Sequence, residues 1–318
     1  MTINWYGVIN KMVGNCAAYC ETNRLGALVV GMSGGLDSAV ALALAVKVKK
    51  EIKSRCDDRK QPDASPKVIG ISLPCYSSEA SIRLAVEAME KAGVRPEITR
   101  LDPAYDAMAA IIGDRDKVNA GNIKARLRMI TLYDRARKEN GMVLSTDNWS
   151  ELMMGFWTLH GDVGDYGMFQ NILKGTEMYE IAKILRDELG CPTQAIIDAK
   201  PDDGLGVTDQ GDEGQLGASY AVVDKILVDN IRKGFDPANP PSWIGDGTQS
   251  TEMKILDRAA KTEYKRRGVV NLTREELGLR PIEKCKVCYG NHTGKFTKDE
   301  KGNLVCDNCG KLICTVPL

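Results

Sequence analysis

VVGMSGGLDSAVALALA, residues 29–45, decides the fold. An apolar run of strand composition stops at Val30 or Gly31, SGGLDS makes a tight turn, and a helix of small apolar residues starts near Asp37 or Ser38. Glycines let a backbone approach a ligand closely, and the free N–H groups and dipole of a helix start favour an anion, as do the two serine hydroxyls. A phosphate or pyrophosphate belongs in such a turn. The spacing fits neither GxGxxG nor GxxxxGK[ST], and no lysine lies in the turn, which argues against a Walker-type γ-phosphate transfer. The bland alternative is a glycine-rich turn capped by Asp37 or Ser38.

Outward from this turn the chain repeats the same alternation. Residues 25–32, 67–73, 96–101 and 141–146 read as buried parallel strands, and 38–53, 78–93 and 121–140 as the helices between them. This is the pattern of an α/β fold with a doubly wound parallel sheet, in which ligands sit beyond the carboxyl ends of the strands. Residues 32–38, 73–77 and 145–147 are therefore expected to converge on one crevice. Residues 54–66 read as a solvated connection and 200–217 as a long Gly- and Asp-rich loop, either disordered or a lid; 219–234 and 251–268 read as two further helices.

The 318 residues suffice for one large domain plus a small appendage, expected as 1–270 and 271–318. Forty-three basic residues balance forty-three acidic ones, so no net charge field draws the chain to nucleic acid or a membrane. The N-terminus MTINWYGVINKM has no leader pattern, and no apolar run reaches membrane length, so a cytoplasmic protein is expected. Of ten cysteines, four form two CxxC pairs near the C-terminus and the others are scattered through apolar segments, which fits reduced thiols and a metal site better than a disulfide framework.

SGGLDS resembles the pyrophosphate loop of the adenine-nucleotide α-hydrolases (the PP-loop ATP pyrophosphatases), which cleave ATP to AMP and pyrophosphate to adenylate an oxygen of their substrate. Further stretches narrow the resemblance: GNIKARLRM (121–129), STDNWSELMMGFWTLHGDVGD (145–165), the helix after Lys174, DEGQLGASYAVVD (212–224) and KTEYKRR (261–267) follow in the order seen in ammonia-dependent NAD synthetases. The resemblance covers about residues 1–270. It implies a ligase in which the nicotinate carboxylate of deamido-NAD attacks the α-phosphorus of ATP and ammonia then displaces AMP. On that reading Gly31, Ser33, Gly34, Gly35 and Ser38 cradle the ATP phosphates, and Asp37 and Glu151, reaching one crevice from two turns, share a magnesium ion. The bland readings are a helix cap for Asp37 and a first-turn carboxylate for Glu151. The resemblance further places Thr146 on ATP, Lys174 on its phosphates, and Arg126, Asp165, Tyr264 and Lys265 on deamido-NAD; it also implies a homodimer.

The chain departs from the family pattern around that second substrate. Ser145 stands where glycine is common, Leu159 where many members carry lysine, Tyr264 where histidine is frequent, and HGDVGD is shorter by about one residue. There is no room for a nitrilase-like glutaminase, so free ammonia, or a separate subunit delivering it, is the expected nitrogen source. The tail is an addition to the usual family pattern. Cys285 and Cys288, then Cys306 and Cys309, have the spacing of a zinc ribbon, with structural zinc supplying the folding energy; Cys314 and His292 read as bystanders. The same tail supports a rival reading, a tRNA-thiolating enzyme gripping RNA with its ribbon. A nucleotide sensor that has kept the loop is a third. The balanced charge and KTEYKRR oppose the tRNA reading, and the retained carboxylates oppose the sensor.

Overall fold

In a computed structural model the described residues are 3–113, 116–202, 211–244 and 250–267, with five short strands further on. The chain divides into two compact units, Met1–Arg266 and Arg267–Leu318. The first carries a parallel sheet of β1 (Ala27–Gly31), β2 (Lys67–Ser72), β3 (Glu97–Ile98) and β4 (Gly141–Val143) in the order β3-β2-β1-β4. β1 pairs in parallel with β2 on one side and β4 on the other, so the strand order reverses at β1 and opens a crevice beyond its carboxyl end.

Side chains alternate across β1. Leu28 and Val30 pack with α1 (Trp5–Asn23), α2 (Leu36–Asp58), α3 (Glu79–Lys91) and α7 (Glu177–Leu189), whereas Ala27 and Val29 join Ile69, Ile71, Met129 and Leu132 on the other face, beneath α5 (Lys117–Lys138). Every residue from Ser38 to Val46 is buried, as a helix that is apolar on all sides must be. A third cluster lies within a helical layer: Met154 of α6 (Trp149–Met154), Leu216 of α9 (Gly211–Leu216), Tyr220, Val223 and Leu227 of α10 (Tyr220–Arg232), and Ile255 and Leu256 of α11 (Thr251–Lys261). This layer carries the residues that face the crevice from the opposite side.

All four expected strands and the helices that follow them are present, with differences at their ends. α2 continues to Asp58, through residues expected in a solvated connection, because Ile52 and Cys56 keep an apolar face on the core. Within 200–217, α9 replaces part of the expected loop, buried by Leu216; residues 203–210 lie outside the described residues. The helix expected over 251–268 stops at Lys261 and continues as a single 3-10 turn, Glu263–Lys265. Cys16, Cys20, Cys56, Cys75 and Cys191 are buried free thiols, and no described helix is long and apolar enough to cross a membrane.

The second unit contains two small antiparallel sheets: β5 (Glu283–Lys284) with β6 (Asn291–His292), and β7 (Thr297–Lys298), β8 (Leu304–Val305) and β9 (Leu312–Cys314). Cys285, Cys288, Cys306 and Cys309, on which the zinc expectation rests, lie outside the described residues.

Candidate active site

The turn after β1 is held from within. Ser33 N donates to Ser38 Oγ (3.3 Å), Gly35 N to Ser33 Oγ (3.1 Å) and Ser38 Oγ to Gly35 O (3.0 Å), so both hydroxyls brace the loop. Gly34 has φ of 90°, and a Cβ there would lie 2.2 Å from Ser81 O, so positive φ and close approach both require glycine. α2 starts after Gly35 with no side-chain cap. The capped-turn alternative therefore fails at both residues: Ser38 bonds a carbonyl, and Asp37 turns away from its own helix. An uncapped helix start behind a glycine turn is the geometry of an anion cradle.

Asp37 points across the crevice to the segment after β4. Its Oδ1 accepts from Asn148 Nδ2 (3.1 Å) and its Oδ2 from the Lys174 ammonium in a very short ion pair. Asn148 is also the N-cap of α6, in a reciprocal box with Glu151: Glu151 N donates to Asn148 Oδ1 (3.0 Å) and Asn148 N to Glu151 Oε2 (3.4 Å). The bland reading of Glu151 thus holds for one oxygen. The other, Oε1, lies 3.4 Å from Lys174 Nζ. One asparagine therefore holds both carboxylates, Asp37 through its side-chain amide and Glu151 through its backbone N–H.

Lys174 is buried, with its side chain 5% exposed. Its backbone N–H donates to Ser150 Oγ (2.9 Å) and the next, Gly175 N, to Asp224 Oδ2 (2.8 Å); the Ser150 hydroxyl also bonds Asp224, and the Tyr220 ring lies 5.4 Å beneath the ammonium. Burial opposes the lysine's charge, but Asp37 and Glu151 hold its pKa above the ordinary lysine value. Burial first, then the like charges of Asp37, Asp147 and Asp212, push Glu151 up against the pull of Lys174. Asp147, which accepts from Ser145 Oγ (2.6 Å), is pushed up to about 6, chiefly by burial. The pocket thus gathers more buried carboxyl groups than its one lysine can pair, at a cost to their charged forms.

That surplus bears on magnesium. Among the described residues no three carboxylate, histidine or cysteine side chains are grouped as a ready-made metal cage. Magnesium generally takes one or two carboxylates and completes its shell with water and substrate phosphates, so Asp37 and Glu151 beside a phosphate-sized turn fit it. Thr146 is partly exposed in the segment between β4 and α6.

The residues expected on the second substrate are placed differently. Asp165 accepts from Val143 N (2.9 Å) and Tyr133 Oη (2.9 Å), patching the end of β4. Lys265 Nζ donates to Gly155 O (2.8 Å) and Trp157 O (2.6 Å), at the carbonyl end of α6; Arg266 donates to Leu152 O and Met153 O there. Arg126 is exposed and donates from Nε to Leu159 O (3.2 Å); it lines an open cavity of about 590 Å³ with Met129, Ile130, Tyr133, His160 and Val163. Tyr264 is 54% exposed.

Reading the sequence missed Asn148, Ser150, Tyr220 and Asp224. Asn148 carried a local signal, as an N-cap residue three positions before a glutamate. Asp224 carried none, since its partners Ser150 and Gly175 lie 74 and 49 residues away.

Known proteins resemble the chain over most of its length. The NAD synthase family model matches residues 8–269. The chain is 36% identical to the NH(3)-dependent NAD(+) synthetase of Thermococcus kodakarensis, across 83% of this chain and 96% of that one. It is 33% identical to the protein of the same name from Pyrococcus furiosus, across 85% and 97%. Among solved structures it resembles an NMN synthetase from Francisella tularensis, with a TM-score of 0.66 and 26% identity, across 86% and 99%. The chain belongs to the NAD synthase family.

Proposed function

We propose that this protein is an ammonia-dependent NAD synthetase. The carboxylate of deamido-NAD attacks the α-phosphorus of ATP, pyrophosphate departs, and ammonia then displaces AMP to leave the amide. The observation that carries the reading is the convergence of Asp37, Glu151 and Lys174 from three separate segments beside the uncapped turn at Gly34 and Gly35. Gly31, Ser33, Gly34, Gly35 and Ser38 bind the phosphates through N–H groups and hydroxyls, Lys174 offsets their charge, and Thr146 contacts the nucleotide. Asp37 and Glu151 would hold magnesium, which supplies positive charge to the polyphosphate as its bond to AMP breaks. Membership of the NAD synthase family sets aside the tRNA-thiolating reading. The test is incubation with ATP, magnesium, deamido-NAD and ammonium, with NAD, AMP and pyrophosphate expected in equal amounts. Bound ATP without either NAD or AMP would overturn it.

A second reading concerns the acceptor. The likeness to an NMN synthetase supports, beside deamido-NAD, a mononucleotide acceptor that carries the same nicotinate carboxylate. A higher kcat/KM with the mononucleotide would establish it. Arg126, Asp165, Tyr264 and Lys265 remain the proposed acceptor contacts, and the exposed Arg126 face is the proposed homodimer surface. In the tail, Cys285, Cys288, Cys306 and Cys309 are proposed to bind one structural zinc ion, measurable as one equivalent per chain that is lost in Cys306→Ser.

A further inference from the structure

The ammonium of Lys174 is ion-paired with Asp37 Oδ2 and lies 3.4 Å from Glu151 Oε1, so one cation serves both carboxylates. A magnesium ion held by those oxygens would need the place beside them that the ammonium takes. The two cations cannot share it, because steric exclusion and like-charge repulsion in a buried site act together. The lysine is also built to let one end go and not the other. Its backbone is pinned by Ser150 Oγ and, through Gly175, by Asp224, and a Cβ on Gly175 would meet Ala221 N at 2.3 Å, so the α10 backbone closes on that turn. Its buried side chain, by contrast, has a four-carbon stem of rotatable bonds, through which the ammonium can change partner about that fixed root. Asp37 belongs to the SGGLDS turn itself, so an ammonium leaving Asp37 is already beside the phosphate cradle.

We propose that Lys174 is a tethered place-holder for the metal: its ammonium pairs with Asp37 and Glu151 until a divalent cation arrives and displaces it onto the polyphosphate. This rests on the magnesium and ATP reading above and adds to it an order of charge exchange. Metal alone must displace an ammonium that has no anion to move to, and so binds weakly. Metal and polyphosphate together satisfy every charge, and each strengthens the other by the same factor.

The test uses the full chain and manganese alone, with free Mn2+ followed by electron paramagnetic resonance. Wild type is expected to bind weakly, Lys174→Met at least ten-fold more tightly, and the Asp37→Asn/Lys174→Met double variant to lose that gain. Equal affinity of wild type and folded Lys174→Met would overturn the proposal, as would a gain that persists in the double variant. Should Lys174→Met not fold, the side-chain amine resonance of Lys174 in the wild type decides. Addition of magnesium and an unreactive ATP analogue should move it and create a scalar coupling to phosphorus, and an unchanged resonance would refute the exchange. Failure of the functional reading shows itself separately, as absence of NAD and AMP in the turnover assay.

Discussion

The two sides of the crevice are built in opposite ways. On the nucleotide side, Asp37, Glu151 and Lys174 turn their charged ends toward one another in a largely buried space, held there by a cap, a braced turn and a pinned backbone. On the acceptor side, Asp165 and Lys265 spend their hydrogen bonds on the fold, while Arg126 and Tyr264 stand exposed. The difference teaches that the charges proposed to handle ATP are preorganised, at the expense of buried repulsion, whereas Asp165 and Lys265, proposed for the acceptor, are struts for β4 and α6. Substitutions on the first side should therefore strike chemistry, and on the second side both binding and stability.

The sharpest way to break this comparison is Asp37→Asn. It removes a proposed metal ligand and the partner of Lys174 while keeping a side chain that can bond Asn148, so AMP formation should fall by about 10³-fold with the melting temperature nearly unchanged. Undiminished turnover would remove Asp37 from the site. Gly34→Ala comes next: a methyl group 2.2 Å from Ser81 O at positive φ should cost about 3 kcal/mol, read as a lowered melting temperature and weakened ATP binding. Normal stability would mean that the turn relaxes freely.

Asp147→Asn tests the buried negative charge. Its folded pKa is raised to about 6 from an ordinary 3.8, so the folded state holds the proton more tightly than the unfolded one. The cost of its charge is absent below the unfolded value, grows as pH rises and is complete above about 6. Asn should accordingly stabilise the protein by up to about 3 kcal/mol near pH 7.5, with the gain shrinking toward zero near pH 4 in denaturant melts. A pH-independent difference would contradict the burial argument. The smallest effect belongs to Lys265→Met, expected to raise KM for the acceptor about ten-fold and lower the melting temperature, leaving KM for ATP unchanged. A lowered melting temperature with unaltered acceptor KM would make Lys265 a strut alone.

Legibility in the sequence followed the range of the interactions. Gly34, Ser38 and Asp37 were readable because strand, turn and helix start lie within ten residues, and the turn permits few alternatives to glycine. Glu151 was readable as a first-turn carboxylate, and the structure gives one of its oxygens to the cap and the other to Lys174. Lys174 was legible by position in a family pattern but not by environment, since a lone lysine near a helix start is ordinarily solvated. The helix end at Lys261 and the α9 turn were misread because burial against α6 and α10, rather than local composition, decides them.

By itself, then, the sequence determined the parallel sheet, the anion cradle after its first strand and the chemical class of the residues around it, because periodicity, glycine stereochemistry and helix dipoles act over one turn or one strand. Tertiary structure alone decided that Asn148 orients both carboxylates, that Asp224 and Ser150 pin Lys174, and that Asp165 and Lys265 are tied into the fold. These contacts join segments far apart in the chain, and the energy of a buried charge depends on neighbours that only the folded chain brings within a few ångströms.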